Sequence, residues 1–412
     1  MNYGCIGEKL SHSFSKEIHN RLFDYEYRLQ EIPREDLGEF MTQKNFKAIN
    51  VTIPYKEAVI PYLDFIDETA KKIGAVNTIV NRDGKLYGYN TDFSGMRALI
   101  ERNTLCLANK KVLILGSGGT SKTAYAVAES LGAREIYRVS REAKDGCITY
   151  WDAQNLHHDA EVIINTTPCG MYPKINHAAV DIADFPKLSA VVDAVYNPLR
   201  SRLVCDALER GIPAVGGLYM LVAQAAFAAE HFTACAVAPE KIDEIYRALF
   251  SLKQNIVLIG MPGSGKSTIG KALAQTLNMA FVDTDEVIVE KAQTSIPEIF
   301  AKQGENAFRD LETDAIFEVC KNQHAVIATG GGAVLREENV KLLRQNGRIY
   351  FLDRPLSSIE ATADRPLSSS REALEQRYAE RYDIYVSSAD VHVVSNHCIA
   401  DTVQKIKEDF LI

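Results

Sequence analysis

Residues 255–268 read Asn-Ile-Val-Leu-Ile-Gly-Met-Pro-Gly-Ser-Gly-Lys-Ser-Thr, an apolar run that stops abruptly at glycines. A run of the same design lies upstream, Lys111-Val-Leu-Ile-Leu115 followed by Gly116-Ser-Gly-Gly-Thr-Ser121. Helical periodicity follows each, in Thr123–Leu131 and in Ile269–Leu277. A buried strand, a glycine turn and an amphipathic helix open a nucleotide-binding α/β unit. Two such openings in one chain predict two nucleotide-binding domains.

Working outward, Pro239 stands at the favoured first position of a helical pattern over 239–250, and only Ser251-Leu-Lys-Gln254 separates it from the second run. Four residues span at most about 14 Å, so the two halves are expected close together rather than on a long tether. At 412 residues the chain has room for two to four domains. Its net charge of −8 argues against a surface built for nucleic-acid phosphates or anionic membranes. The eight cysteines (Cys5, Cys106, Cys147, Cys169, Cys205, Cys235, Cys320, Cys398) show no C-x-x-C pair and no zinc-ligand spacing, which suits reduced thiols. The N-terminal residues lack a signal-peptide layout, and the most apolar stretch, Gly216–Ala229, is too short to span a bilayer. A cytoplasmic protein acting on small molecules is expected, with its oligomeric state open.

Gly260–Thr268 fits the phosphate-loop pattern G-x-x-x-x-G-K-[ST]. Backbone N–H groups of Gly263, Ser264 and Gly265 would cradle phosphates at a helix start, with Lys266 reaching the outer phosphates. Ser267 would ligate magnesium, and Thr268 completes the ATP-binding set. Asp283-Thr-Asp285 follows an apolar pair and serves either as helix cap or as catalytic carboxylate. Gly330-Gly331-Gly332 after Val326–Thr329 permits close approach of a ligand or makes a plain turn. Arg309, Arg365 and Arg381 are separated arginines.

Together these stretches, with Ser295–Phe300, Gly304–Glu312 and Asp364–Leu367, resemble shikimate kinase over the whole second half. That resemblance implies that Asp285 binds the acceptor hydroxyls and orients or deprotonates the attacking one. It also implies that Arg309 and Arg381 clamp the substrate carboxylate and that Gly331 and Gly332 contact the acceptor. By the same resemblance Arg365 would close from a lid onto the phosphates, and Asp283 would hold magnesium through water. The short stretch Ile359–Asp364 lacks the arginine that many members stack on adenine.

In the first half Ser121 replaces the last glycine of G-x-G-x-x-G, so Gly116, Ser117, Gly118, Gly119, Thr120 and Ser121 read as a dinucleotide loop or a structural turn. After the next strand an NAD enzyme places an acidic residue, whereas here Ser140-Arg141 stands, suiting the extra phosphate of NADP or simply a solvated arginine. Ser13-Phe-Ser15, Asn50–Lys56, Asn77 and Asn90-Thr-Asp92 precede the loop, and Asn165–Met171, Val192–Pro198 and Gly217–Gln224 follow it. In this order they look like shikimate dehydrogenase. The resemblance implies carboxylate binding by Ser13 and Ser15, with Tyr196 approaching it. Thr52, Asn77 and Gln224 would bind hydroxyls and carbonyl, Lys56 and Asp92 would form the catalytic pair, and Gly217 would belong to the cofactor site.

The expected architecture is α/β throughout. A dehydrogenase substrate domain (1–97 and 222–251) would enclose an NADP-binding Rossmann domain (98–221), followed by a kinase of P-loop NTPase fold with a parallel sheet (255–412). The expected function is bifunctional: NADPH-dependent reduction of 3-dehydroshikimate, then phosphorylation of shikimate by ATP with magnesium. A quinate/shikimate dehydrogenase fused to another small-metabolite kinase, or a nucleotide-responsive sensor with one inactive domain, remain the rival readings.

Overall fold

The computed structural model describes residues 1–10, 14–359, 371–395 and 398–411. Two compact units divide the chain. One takes Met1–Asn197 and Leu203–Leu249, the other Pro198–Arg202 and Phe250–Ile412.

The first unit holds two sheets. Strands β1 (Tyr3–Gly7), β2 (Tyr27–Glu31), β3 (Ala48–Val51), β4 (Phe65–Ile66), β5 (Thr78–Arg82) and β6 (Lys85–Tyr89) lie in the order β2-β1-β3-β5-β6-β4, with β5 antiparallel to both its neighbours. Helices α1 (Ser15–Leu22), α2 (Leu37–Gln43), α3 (Glu68–Ile73) and α4 (Thr91–Arg102) are threaded among them. The second sheet is parallel and doubly wound: β7 (Lys111–Leu115), β8 (Glu135–Ser140), β9 (Cys147–Thr149), β10 (Val162–Asn165), β11 (Ala190–Asp193) and β12 (Ala214–Val215) run in the order β12-β11-β10-β7-β8-β9. Every residue of β7, β10 and β11 is buried, as expected for parallel strands covered on both faces. Helices α5 (Gly119–Ser130), α6 (Tyr150–Leu156) and α7 (Arg202–Glu209) belong to this stretch of chain.

After β12 comes α8 (Leu218–Thr233), which starts four residues ahead of the boundary drawn from sequence and packs on α4. The fit is tight at Gly95, where a Cβ would sit 2.8 Å from the Met220 carbonyl oxygen and 2.9 Å from Gln224 Cβ. Helix α9 (Pro239–Lys253) runs three residues beyond the pattern read from sequence, so Gln254 alone separates it from the next strand.

The second unit is a parallel sheet of β13 (Asn255–Ile259), β14 (Ala280–Asp283), β15 (Ala325–Ala328), β16 (Gly347–Asp353) and β17 (Val391–Val394), ordered β14-β15-β13-β16-β17 among the described residues. The phosphate-loop strand β13 is central and fully buried. Around it stand α10 (Lys266–Leu277), α11 (Thr284–Ala292), α12 (Ile296–Val319), α13 (Glu337–Asn346), α14 (Arg371–Ser388) and α15 (Ile399–Phe410). A capping box between Ser295 and Glu298 starts α12, and Gly304, at φ 82°, breaks it into two segments.

One buried group in the first unit makes stability depend on pH. The His19 ring is stacked on Tyr27 at 3.9 Å and on Phe232 at 5.6 Å, and its Nδ1 meets the Tyr25 hydroxyl at 2.6 Å. Burial drops its pKa to about 3. The unfolded chain therefore binds the extra proton first, and stability falls as pH is lowered from about 6.5 toward 3. The slope reaches about 1.4 kcal/mol per pH unit. His19→Phe should flatten this decline, read from thermal inactivation of the first unit's activity between pH 7 and 4.

Candidate active sites

A cavity of about 1400 Å³ opens in the first unit between the two sheets. The turn after β3, carrying Ile53, Pro54 and Lys56, forms one wall; Gly116–Thr120, Ser140 and Arg141 contribute the other. Lys56 Nζ donates to Asp92 Oδ2 at 2.5 Å, with both side chains largely withdrawn from solvent. Asp92 stands in the first turn of α4, where a carboxylate is favoured by the helix dipole. Asn90 caps that helix by accepting from the Phe93 N–H at 3.1 Å.

Beneath the pair lies a buried polar network. Asn77 Oδ1 accepts from the Thr91 N–H at 2.7 Å, from the Thr91 hydroxyl at 3.2 Å and from the Thr78 hydroxyl at 3.1 Å. With its acceptor oxygen so engaged, Asn77 has only amide N–H groups to offer a ligand. Asn50, which sequence reasoning did not single out, donates to the Asn77 carbonyl and to Thr78, and accepts from the fully buried Tyr27 hydroxyl at 2.7 Å. Ser15 is the first residue of α1. Thr52 follows β3, and Gln224 lies on α8 with its amide donating to the Leu221 carbonyl. Tyr196 follows β11 and meets Phe14 edge-on at 6.2 Å. Ser13 lies outside the described residues.

The glycine loop has the room a phosphate needs. A Cβ on Gly118 or on Gly119 would meet nothing within 4 Å, so packing does not account for these glycines. Gly118 is the N-cap of α5, whose unpaired N–H groups favour an anion. Two residues of the expected set are otherwise engaged. The buried Ser121 hydroxyl donates to the Gly118 carbonyl at 2.8 Å, and the Ser140 hydroxyl donates to the Glu142 carbonyl. Arg141 is exposed in the cavity wall, and Lys174 and His177 add polar lining that sequence reasoning missed. Gly217 caps α8 for a packing reason, since a Cβ there would lie 2.2 Å from the Ala194 oxygen.

In the second unit Gly260, Gly263 and Gly265 all have positive φ, curling the loop around the start of α10. Lys266 Nζ is held over that curl by the Gly260 and Met261 carbonyls at 2.8 and 2.9 Å. The Ser267 hydroxyl donates to Asp283 Oδ2 at 2.7 Å, an oxygen pair of the kind that holds magnesium beside phosphates. Asp283 also caps α11 through the Asp285 N–H, so cap and site coincide.

Asp285 points inward, its Oδ1 buried without a hydrogen-bond partner among the described residues. Burial, then the neighbouring Asp283, push its pKa up to about 6 against the pull of Lys266. Glu312, unnoticed in the sequence although three residues beyond Arg309, is fully buried and accepts from Arg309 Nη1 at 2.8 Å. The glycine triplet wraps these groups closely. A Cβ on Gly330 would strike Glu312 and Asp285, and one on Gly332 would strike the Arg309 guanidinium. Arg381 Nη1 donates to the Gly331 carbonyl at 3.2 Å. Arg365 lies outside the described residues.

Comparison with known proteins agrees with both halves. The family model for the shikimate dehydrogenase substrate binding domain matches residues 5–79, and that for shikimate kinase matches 262–410. A shikimate dehydrogenase (NADP(+)) of Clostridium beijerinckii is 37% identical over 270 residues, covering 61% of this chain and 98% of the relative. Among solved structures, a chorismate mutase/shikimate 5-dehydrogenase fusion protein from Clostridium acetobutylicum aligns with TM-score 0.57 and 38% identity, over 60% of this chain and 96% of that one. Shikimate 5-dehydrogenase from Thermus thermophilus, solved with NADP(H) and shikimate, aligns with TM-score 0.55 and 26% identity, over 60% and 99%. An NADP(H)-dependent oxidoreductase and an ATP- and magnesium-dependent phosphotransferase are thus encoded together. Over its first three-fifths the chain belongs to the shikimate dehydrogenase family, and a shikimate kinase domain follows in the same polypeptide.

Proposed function

We propose that the two sites act in series on one metabolite: 3-dehydroshikimate is reduced to shikimate in the first unit, and shikimate is phosphorylated at its 3-hydroxyl in the second. The observation that carries this is the coexistence of an intact Lys56–Asp92 pair and an intact Lys266–Ser267–Asp283–Asp285 set. Loss of either would leave a sensor with one inactive domain. The substrate domain is assigned to residues 1–97 with 222–251, the NADP domain to 98–221 and the kinase to 255–412. The reactions are those of a cytoplasmic enzyme with small-molecule partners. Among the described residues no helix is long and apolar enough to cross a membrane.

NADPH supplies hydride to the C3 carbonyl carbon. The residues manage the oxygen: Lys56 as ammonium donates a proton to it, while Asp92 fixes the ammonium's direction. Asn77 donates to a substrate hydroxyl, Thr52 and Gln224 hold the remaining oxygens, and Ser15, Ser13 and Tyr196 receive the carboxylate. Gly118–Thr120 face the cofactor's pyrophosphate, and Arg141 meets its 2′-phosphate.

MgATP supplies the phosphoryl group. Lys266 and Arg365 place positive charge at the transferring group, and Ser267 and Asp283 hold the metal. Asp285, mostly ionised above its pKa of about 6, accepts a hydrogen bond from the attacking hydroxyl. Arg309, braced by Glu312, and Arg381 grip the carboxylate from two sides.

With 3-dehydroshikimate, NADPH and MgATP supplied together, NADP and ADP should form in equal amounts, with no ADP until NADPH is present. NADPH loss without ADP would refute the acceptor assignment. Lys56→Ala should lower the reduction rate by roughly 10²–10⁴-fold with NADPH binding nearly intact; full turnover would remove the lysine from the mechanism. Gly118→Ala adds a methyl where the protein leaves space. Its melting temperature should therefore match wild type while the KM for NADPH rises about tenfold or more, as steady-state kinetics beside calorimetry would show.

A further inference from the structure

Tyr385 lies one helical turn beyond Arg381 on α14, so the two side chains share a face. Its ring is buried and stacked on Phe351 of β16, with centroids 5.1 Å apart and planes 15° from parallel. The Tyr385 hydroxyl donates to the Gly331 carbonyl, the same oxygen that accepts from Arg381 Nη1. Guanidinium and phenol thus meet on one peptide carbonyl. Both lone pairs of that carbonyl are thereby taken. On its other side Gly331 is wedged against the phosphate loop, where a Cβ would lie 2.7 Å from Pro262 Cδ. Burial lifts the phenol to about 12, so it stays a donor through the working pH range.

We propose that Tyr385 is a positioning residue of the kinase site, fixing the Gly331 peptide and aiming the remaining donors of Arg381 at the acceptor's carboxylate. The proposal rests on reading Arg381 as a carboxylate clamp. A guanidinium binds a carboxylate well only when its planar fork is correctly oriented, and the arginine side chain alone is too flexible to set that orientation. The shared carbonyl supplies it, since one nitrogen of the fork is tied to the Gly331 oxygen that the phenol also holds in place.

Tyr385→Phe keeps the ring and its stack but removes the hydroxyl. The KM for shikimate should rise about tenfold, while kcat and the KM for MgATP change by less than about twofold. The dehydrogenase rate of the same chain should be unchanged. With shikimate methyl ester, which lacks the carboxylate charge, variant and wild type should share one kcat/KM. An unchanged KM for shikimate, a penalty that persists with the ester, or an equal rise in the KM for MgATP would each overturn the proposal. Arg381→Ala run in parallel separates two failures. If it too leaves the KM for shikimate unmoved, the clamp reading falls and the proposal with it; if only Tyr385→Phe is silent, the positioning role alone falls.

Discussion

The first N–H groups of a helix have no partner within the helix, and both halves of this chain are organised around that deficit. Each places a buried parallel strand at the centre of its sheet and turns through glycines into a helix whose opening faces a ligand space. The deficit is met differently in each. In the first unit Gly118 and Gly119 leave the space before α5 open. In the second the phosphate loop curls tightly, and a lysine ammonium bridges its carbonyls. Open backbone suits a long dinucleotide lying across the sheet edge, while a closed curl suits a terminal phosphate that must be gripped as it leaves.

Both sites then rely on buried polar groups whose partners leave few alternatives. Asn77 is fixed as a donor because three protein donors occupy its oxygen. Asp283 carries two duties, capping α11 with one oxygen and receiving Ser267 with the other. Such networks stabilise the fold only when fully satisfied, which makes them precise and intolerant of substitution. Among the described residues, Asp285 Oδ1 and Glu312 Oε1 have no hydrogen-bond partner, and they border the space where an acceptor's hydroxyls are expected.

The strand–glycine–helix units were legible because that signal is local: an apolar run, a glycine break and a helical period lie within about twenty residues. The motif residues on those turns were legible for the same reason, and so were both families. What escaped reading depends on contacts distant in sequence. Tyr27 meets Asn50 through the folded sheet, and Tyr385 reaches Gly331 across the kinase, with no spacing to announce either. Ser140 looked available for a phosphate, but its hydroxyl turns back to the Glu142 carbonyl. Ser121 was read as part of the loop's ligand face and is instead tied inward to Gly118. Glu312 had a usable signal, an acidic residue one helical turn from Arg309, which gains meaning only once that face is known to be buried.

Lys56 stands on the turn after β3, Asn77 just before β5, and Asp92 and Gln224 on α4 and α8, whereas the glycine loop and Arg141 follow strands of the second sheet. The acid–base machinery and its substrate contacts therefore come from one side of the cleft, and the cofactor loop comes from the other. The hydride's path thus spans the cleft, while the proton's path lies within one side of it. Reduction is thereby split between the two sheets: the oxygen is received on one, and the hydride must come from a cofactor held on the other.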